Sequence, residues 1–195
     1  IEKDASINQD IDRLRLAATS SILSSRDVIV VASVSCIYPI GSPEDHRSMM
    51  IHVVAGQDAG KKDLLRKLVA IQYERNEFEL SRGRFRVRGS TVEVIPAYEE
   101  IAFRIGMLGD RVVRIEKFDP LTGKAISEEK EIFIYPAKHF VTPPEKMKKA
   151  RENIREELEE RIKYFKDLKK PLEAERIEMR TLNDLEMLEE LGYCH

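Results

Sequence analysis

Three arginines, Arg84, Arg86 and Arg88, alternate with Phe85 and Val87 in a chain with few other groups placed to do chemistry. In a strand, successive side chains leave opposite faces, so the three guanidinium groups share one side and the apolar pair the other. A guanidinium is planar, permanently charged and forked, which suits bidentate pairing with carboxylates or phosphates. Two readings follow from the pattern. The arginines form a face that docks a partner, or they belong to a solvated sheet face balanced by acids on neighbouring strands, for which Glu93 and Glu116 are the candidates. Arg75 and Arg104 are the residues that extend the patch in the first reading.

Catalytic arrangements are missing. A phosphate-binding loop needs clustered glycines and a lysine at a helix start, and no segment provides them. His46, His52, His139 and His195 show no HExxH or HxH spacing, and no GxSxG turn occurs. Cys36 and Cys194 stand far apart with no CxxC, so neither a zinc site nor a disulfide framework is expected. Ser33-Val34-Ser35-Cys36 follows an apolar run, where open α/β sheets place ligands; small residues allowing a tight strand exit are the plainer explanation. The expectation is a chain with no catalytic residues, no metal and no cofactor of its own.

The 33 basic and 35 acidic residues nearly cancel to a net charge of −2, so no global field draws the chain to nucleic acid or anionic lipid. Any basic surface is local. With 42% apolar residues the 195-residue chain can build a core, and it has no long apolar run. Free thiols and the lack of a leader point to the cytoplasm. The start on Ile1 and the close on Gly192-Tyr193-Cys194-His195 read as a piece of a longer protein.

The elements that position the arginines follow from periodicity. Asn8 caps an amphipathic helix whose apolar stripe is Ile11, Leu14, Ala17, Ala18 and Ile22. Val28 to Val34 is a continuous β-branched run of the kind buried on both faces of a parallel sheet. Ser42-Pro43-Glu44-Asp45 opens a second helix, and Lys61 to Tyr73 forms a third, basic one with Leu64, Leu65, Leu68, Val69 and Ile71 inside. Period-two runs at 84–88, 91–95, 101–108, 112–118 and 132–135, divided by Gly89-Ser90, Gly109-Asp110 and Asp119-Pro120-Leu121-Thr122-Gly123, predict a small antiparallel sheet. Thr142 and Glu145 have capping-box spacing before a long helix, and Lys169-Lys170-Pro171 breaks that helix into a hairpin.

Val31-Ala32-Ser33-Val34-Ser35-Cys36-Ile37-Tyr38, Gly41-Ser42-Pro43-Glu44, Gln72-Tyr73-Glu74-Arg75-Asn76, Phe85-Arg86-Val87-Arg88-Gly89, Pro136-Ala137-Lys138-His139-Phe140-Val141-Thr142 and Asp184-Leu185-Glu186-Met187-Leu188 together resemble the UvrB family. So does Ile1-Glu2-Lys3-Asp4-Ala5-Ser6-Ile7-Asn8 at the start. UvrB proteins are the damage-verifying subunits of the bacterial UvrABC excinuclease. The transcription-repair coupling factor is similar in the middle domain, but the flanking motifs look more like UvrB.

The resemblance implies an α+β fold: a small antiparallel sheet with packed helices that binds UvrA, flanked by a fragment of a RecA-like α/β motor domain and a C-terminal helical hairpin. Residues 1–8 would end an insertion-domain hairpin region, 9–48 belong to the motor, 49–142 to the UvrA-binding domain and 143–195 to the helical insertion. Arg75, Arg86, Arg88 and Arg104 would contact UvrA, and Lys3, Arg15 and Ser35 would lie near DNA. ATP and Mg, damaged DNA and UvrC would engage only the full-length parent, with no membrane involved. Two departures stand out: Gly106 occupies the position where the family has an acid two residues after its arginine, and Tyr38-Pro39 replaces Tyr-Gly. Glycine inside a strand marks a weak point or a bulge. A contrasting possibility is an autonomous nucleic-acid-binding module built on the basic helix at 61–67 and the arginine strand.

Overall fold

The computed structural model describes residues 8–38 and 40–190, so the expectations that fall on residues 1–7 (Lys3 among them), Pro39 and 191–195 lie outside the described residues. The chain divides into two compact units, Ile1–Val141 and Thr142–His195. The fold is mixed α+β.

In the first unit, Asn8 caps helix α1 (Gln9–Ser24), its side chain accepting from the Asp10 and Ile11 amides at 3.0 and 3.2 Å. The buried side of α1 differs from the expected stripe. Leu16 and Ser20 are buried and Ala17 and Leu23 pack against the core, whereas Ile11, Leu14 and Ile22 are about half exposed. The helix has two apolar sides, and the sheet takes the one that carries Leu16.

The strand expected at Val28 to Val34 does not form. Residues 28–33 have no regular structure, Val34–Ile37 is a 3-10 turn, and Ile29 and Val31 are 92% and 94% exposed. A β-branched run gains its strand character from neighbours on both edges and both faces, and neither sheet of the described residues supplies one.

Helix α2 (Pro43–Ser48) begins as expected, with the Ser42 hydroxyl accepting from the Asp45 amide at 3.3 Å. Strand β1 (Ile51–Val54) carries no expectation from the sequence. Helix α3 (Lys61–Ala70) buries Leu64 and Leu68 but stops short of Tyr73: Gln72 takes a left-handed φ of 68°, and Val69 is exposed.

A six-stranded sheet follows, in the order β2 (Glu74–Arg75), β3 (Arg84–Arg88), β4 (Thr91–Ile95), β5 (Ala102–Leu108), β6 (Arg111–Phe118) and β7 (Ala125–Glu129). All neighbours are antiparallel except β2 and β3, which run parallel. Strand β8 (Glu131–Ile134) instead leaves this sheet and pairs with β1. The β3–β4 hairpin turns on Gly89 at φ 58°, a conformation that favours glycine.

One face of the large sheet is apolar. Phe85, Val92, Val94, Ile105 and Ile115 form a single buried cluster with Leu16 of α1, Leu64 and Leu68 of α3, and Ile51, Val53, Ile132 and Ile134 of the β1–β8 pair. Burying one such side chain contributes about 1.5–3 kcal/mol. The register slips between Gly106 and Met107, since Gly106 opposes Arg114 and Met107 opposes Val112, leaving Val113 as the extra residue of a bulge. The bulge suggested by glycine in that strand is therefore present.

The second unit is a helical hairpin of α4 (Pro144–Asp167) and α5 (Pro171–Glu190), closed over Leu158, Ala174 and Leu185. The capping box does not form. Pro144 takes the first helical position, which suits its fixed φ, so Pro143 becomes the cap residue and Thr142 lies one residue too early to bond the helix amides.

Candidate protein-docking face

The second face of the large sheet is built by alternation and register. Arg86 of β3 lies opposite Glu93 of β4, Glu93 opposite Arg104 of β5, Arg104 opposite Glu116 of β6, and Glu116 opposite Glu128 of β7. A ladder of charge thus crosses five strands. At its centre Glu93 is 3% exposed and uses both oxygens: Oε2 accepts from Arg86 Nε at 2.6 Å and Oε1 from Arg104 Nε at 2.8 Å. Burial pushes the Glu93 carboxyl up, but the hydrogen bonds from Arg104 and Arg86 and their charges outweigh it and hold it below its usual range. Glu116 pairs with Arg104 at 3.6 Å and with Arg114 at 2.9 Å, and Arg114 reaches Glu128 at 3.4 Å.

The same face carries a small apolar cap at one end. Ile95, Ala102 and Phe118 form a separate buried cluster closed by Leu80 from the β2–β3 connection. The Arg104 guanidinium lies over the Phe118 ring, 4.3 Å from its centroid, a second contact that restrains it beside the hydrogen bond to Glu93. Arg84 is held by Glu79 at 2.9 Å and Glu74 at 3.4 Å.

The four arginines implied by the resemblance are not equivalent. Arg86 and Arg104 share Glu93 and flank it in the ladder, on the strands to either side of β4. Arg88 ends the neighbouring row, opposite Thr91 and in line with Gly106 and Arg114; it is exposed and has no ion pair among the described residues. Arg75 stands apart, in register with the core-facing Phe85 rather than with the arginine row. It reaches the arginine strand through Glu77, which accepts from Arg75 Nε at 2.6 Å and from the Val87 amide at 3.1 Å. Its hydrogen bond from Arg75, followed by that from Val87, holds the Glu77 carboxyl below its usual range.

Arg114 and Glu128 complete the face and are not singled out by the sequence, because glycine marks a bulge without fixing which residue it aligns with Gly106, and β7 gives no period of its own. At Gly106 an added Cβ meets only ordinary contacts, Val113 Cγ2 at 3.6 Å and the Arg114 carbonyl at 3.7 Å. The fold therefore accommodates a side chain there.

Arg15 is committed locally. Its guanidinium donates to the Cys36 carbonyl at 2.9 and 3.1 Å and to the Tyr38 carbonyl at 2.6 Å, closing the 3-10 turn on which Ser35 bonds Ser33 at 2.6 Å. Beside this turn Ile11, Leu14, Ile22, Val30, Val31 and Ile37 line an apolar groove of about 450 Å³ that also touches His139. His139 and His46 are buried with no hydrogen-bond partner on either ring nitrogen. Burial, then the charge of His139, lowers the His46 pKa; burial, then Arg15, lowers that of His139 against an opposing effect of Asp12. Among the described residues no group of three or more His, Cys, Asp or Glu is placed to hold a metal ion, and no helix is long and apolar enough to cross a membrane.

Comparison with known proteins covers the whole chain. The UvrB interaction domain matches residues 51–140, which include all four arginines, and the UvrB third helical domain matches 145–195. UvrABC system protein B of Carboxydothermus hydrogenoformans is 54% identical over 194 residues, 99% of this chain and 29% of that protein. Those of Bifidobacterium longum and Listeria monocytogenes are each 52% identical over 100% of this chain, which covers 28% and 30% of them. The chain spans under a third of the length of these relatives.

Proposed function

The chain belongs to the UvrB family, and from that premise we propose that its arginine face docks UvrA in bacterial nucleotide excision repair. The observation that carries the reading is the coincidence of the interaction-domain match at 51–140 with Arg75, Arg86, Arg88 and Arg104. The geometry supports it. Arg86 and Arg104 are hydrogen-bonded to Glu93 through Nε, so among the described residues their terminal nitrogens carry no closer commitment than the 3.6 Å Arg104–Glu116 pair and can serve carboxylates of a partner. Arg88 and Arg75 add exposed charge at the end of the neighbouring row and at the sheet edge.

Neither matched domain supplies a nucleotide-binding loop, and the chain works as a docking segment rather than an enzyme. In the longer family proteins, docking would bring the ATP-dependent, damage-verifying subunit to DNA ahead of UvrC, in the cytoplasm. Residues 9–48 would complete a RecA-like motor whose other strands lie elsewhere in those proteins. The groove beside α1 and the exposed Ile29 and Val31 support this, since both are apolar surface awaiting cover. Arg15 and Ser35 would stand near DNA on the turn they share. An autonomous nucleic-acid module is the weaker reading, because Glu93, Glu116 and Glu128 interrupt the basic face and a phosphate backbone favours unbroken positive charge.

The test is titration of this chain with UvrA at two salt concentrations. Arg75→Glu and Arg88→Glu are the cleanest variants, because reversing Arg86 also places a second carboxylate against buried Glu93. Each is expected to weaken binding about tenfold or more and to reduce its salt dependence. Full retention by both variants would sink the docking reading.

A further inference from the structure

Glu93 is the most buried charged residue of the arginine face, and it points toward the side a partner would approach. A carboxylate there weakens attraction for an acidic partner, so charge alone gives no reason for it. Its geometry does. Each oxygen takes one Nε, from Arg86 at 2.6 Å and from Arg104 at 2.8 Å, across three neighbouring strands. Bonding at Nε fixes the guanidinium plane and leaves the terminal nitrogens, whose end-on fork matches a carboxylate, with no hydrogen bond among the described residues; Arg104 Nη1 has only the longer 3.6 Å ion pair to Glu116. On Arg104 the Phe118 ring, its centroid 4.3 Å away, adds a second constraint on the same group.

We propose that Glu93 is a positioning residue that aligns the Arg86 and Arg104 forks in parallel, so that the face accepts a pair of neighbouring carboxylates on UvrA. The inference rests on the docking reading above. Without Glu93 the two guanidinium groups, close and alike in charge, repel and sample several rotamers, and binding must then order them. The alignment is specific to the pair, because Arg88 has no ion pair among the described residues and Arg75 is held from the strand edge.

The experiment compares Glu93→Gln, Glu93→Asp and Glu116→Gln in the same UvrA titration, with Arg75→Glu and Arg88→Glu alongside. Glu93→Gln keeps the shape, removes the charge and leaves only one oxygen to accept. It is expected to weaken binding about tenfold even though it makes the face more positive, the opposite of what charge attraction alone gives. Glu93→Asp keeps the charge but is one methylene too short to reach both arginines, and falls between the two. Glu116→Gln, whose distance to Arg104 is 3.6 Å, has the smaller effect.

A second readout needs no partner. The Nε protons of Arg86 and Arg104 are expected to be slow to exchange by NMR in the unmodified chain and fast in Glu93→Gln, while thermal unfolding reports whether the fold persists. Equal or tighter UvrA binding by folded Glu93→Gln, or unchanged protection of both Nε protons, overturns the proposal and leaves the docking reading intact. If Arg75→Glu and Arg88→Glu also bind normally, the docking reading falls and takes the positioning role with it.

Discussion

Two short segments of this chain carry the pattern of a strand, and only one of them forms it. Val28 to Val34 has the side chains of a strand and forms none; Arg84–Arg88 has three like charges in five residues and forms a strand with neighbours on both edges. The difference lies in partners. Branched side chains lower the cost of extended backbone only slightly, and a strand without a ladder leaves its amides to water and its apolar groups exposed. In Arg84–Arg88 the apolar member Phe85 is locked into the core, while each arginine but Arg88 meets a glutamate. Tertiary contacts thus decide both outcomes, withholding a ladder from residues 28–34 and supplying one to 84–88.

The sharpest way to break this comparison is to truncate one buried and one exposed member. Phe85→Ala removes a side chain that is 1% exposed and is expected to cost about 3–5 kcal/mol in urea unfolding. Val31→Ala, at a position 94% exposed, is expected to stay within about 0.5 kcal/mol. Comparable losses in the two variants would mean that the 28–34 run is packed in solution.

A second probe uses acid, because His46 and His139 lie where the irregular segment meets the sheet, the Gly41 amide bonding the His139 carbonyl at 3.4 Å. Burial lowers both histidine pKa values, so the unfolded chain binds protons that the folded chain refuses. Stability is therefore expected to fall as the pH drops through about 6.5, the ordinary histidine value, until the folded-state values are passed. The depressed Glu93, Glu77 and Asp119 carboxyls act in the same direction only at lower pH, in the carboxylate range. Urea midpoints at pH 7 and 5.5 check this. His46→Phe, which keeps a ring stacked near Tyr135, is expected to flatten the drop.

The smallest effect is expected at Gly106. A side chain fits there, and glycine in a strand is unfavourable by about 0.5–1 kcal/mol relative to alanine. Gly106→Glu is expected to raise the melting temperature slightly and to place a carboxylate beside Arg114, in the row that Arg88 ends. Calorimetry of that variant tests whether the charged face tolerates another acid as readily as the ladder holds Glu93.

Much of the sheet was legible. The β3–β4 hairpin, the turns at Gly89 and Gly109, the bulge at Gly106 and the acidic partners Glu93 and Glu116 all follow from alternation and residue type. Strands β1, β2 and β7 were not, because four-residue IHVV, two-residue ER and the exposed AISEE give too short or too weak a period to register. The buried stripe of α1 differs from the expected one because that helix has two apolar sides, and periodicity does not say which one the sheet covers.

Sequence alone determined that Arg84, Arg86 and Arg88 share a face, since alternation in a strand is a local property of the backbone. It also determined the family, through motifs spread along the chain. Only the tertiary structure decided what those arginines face. Register across β3 to β7 brought Glu93 between Arg86 and Arg104, and register is set by long-range packing of the opposite, apolar face. The tertiary structure likewise separated Arg75 from the row, by pairing its strand in parallel and in phase with Phe85.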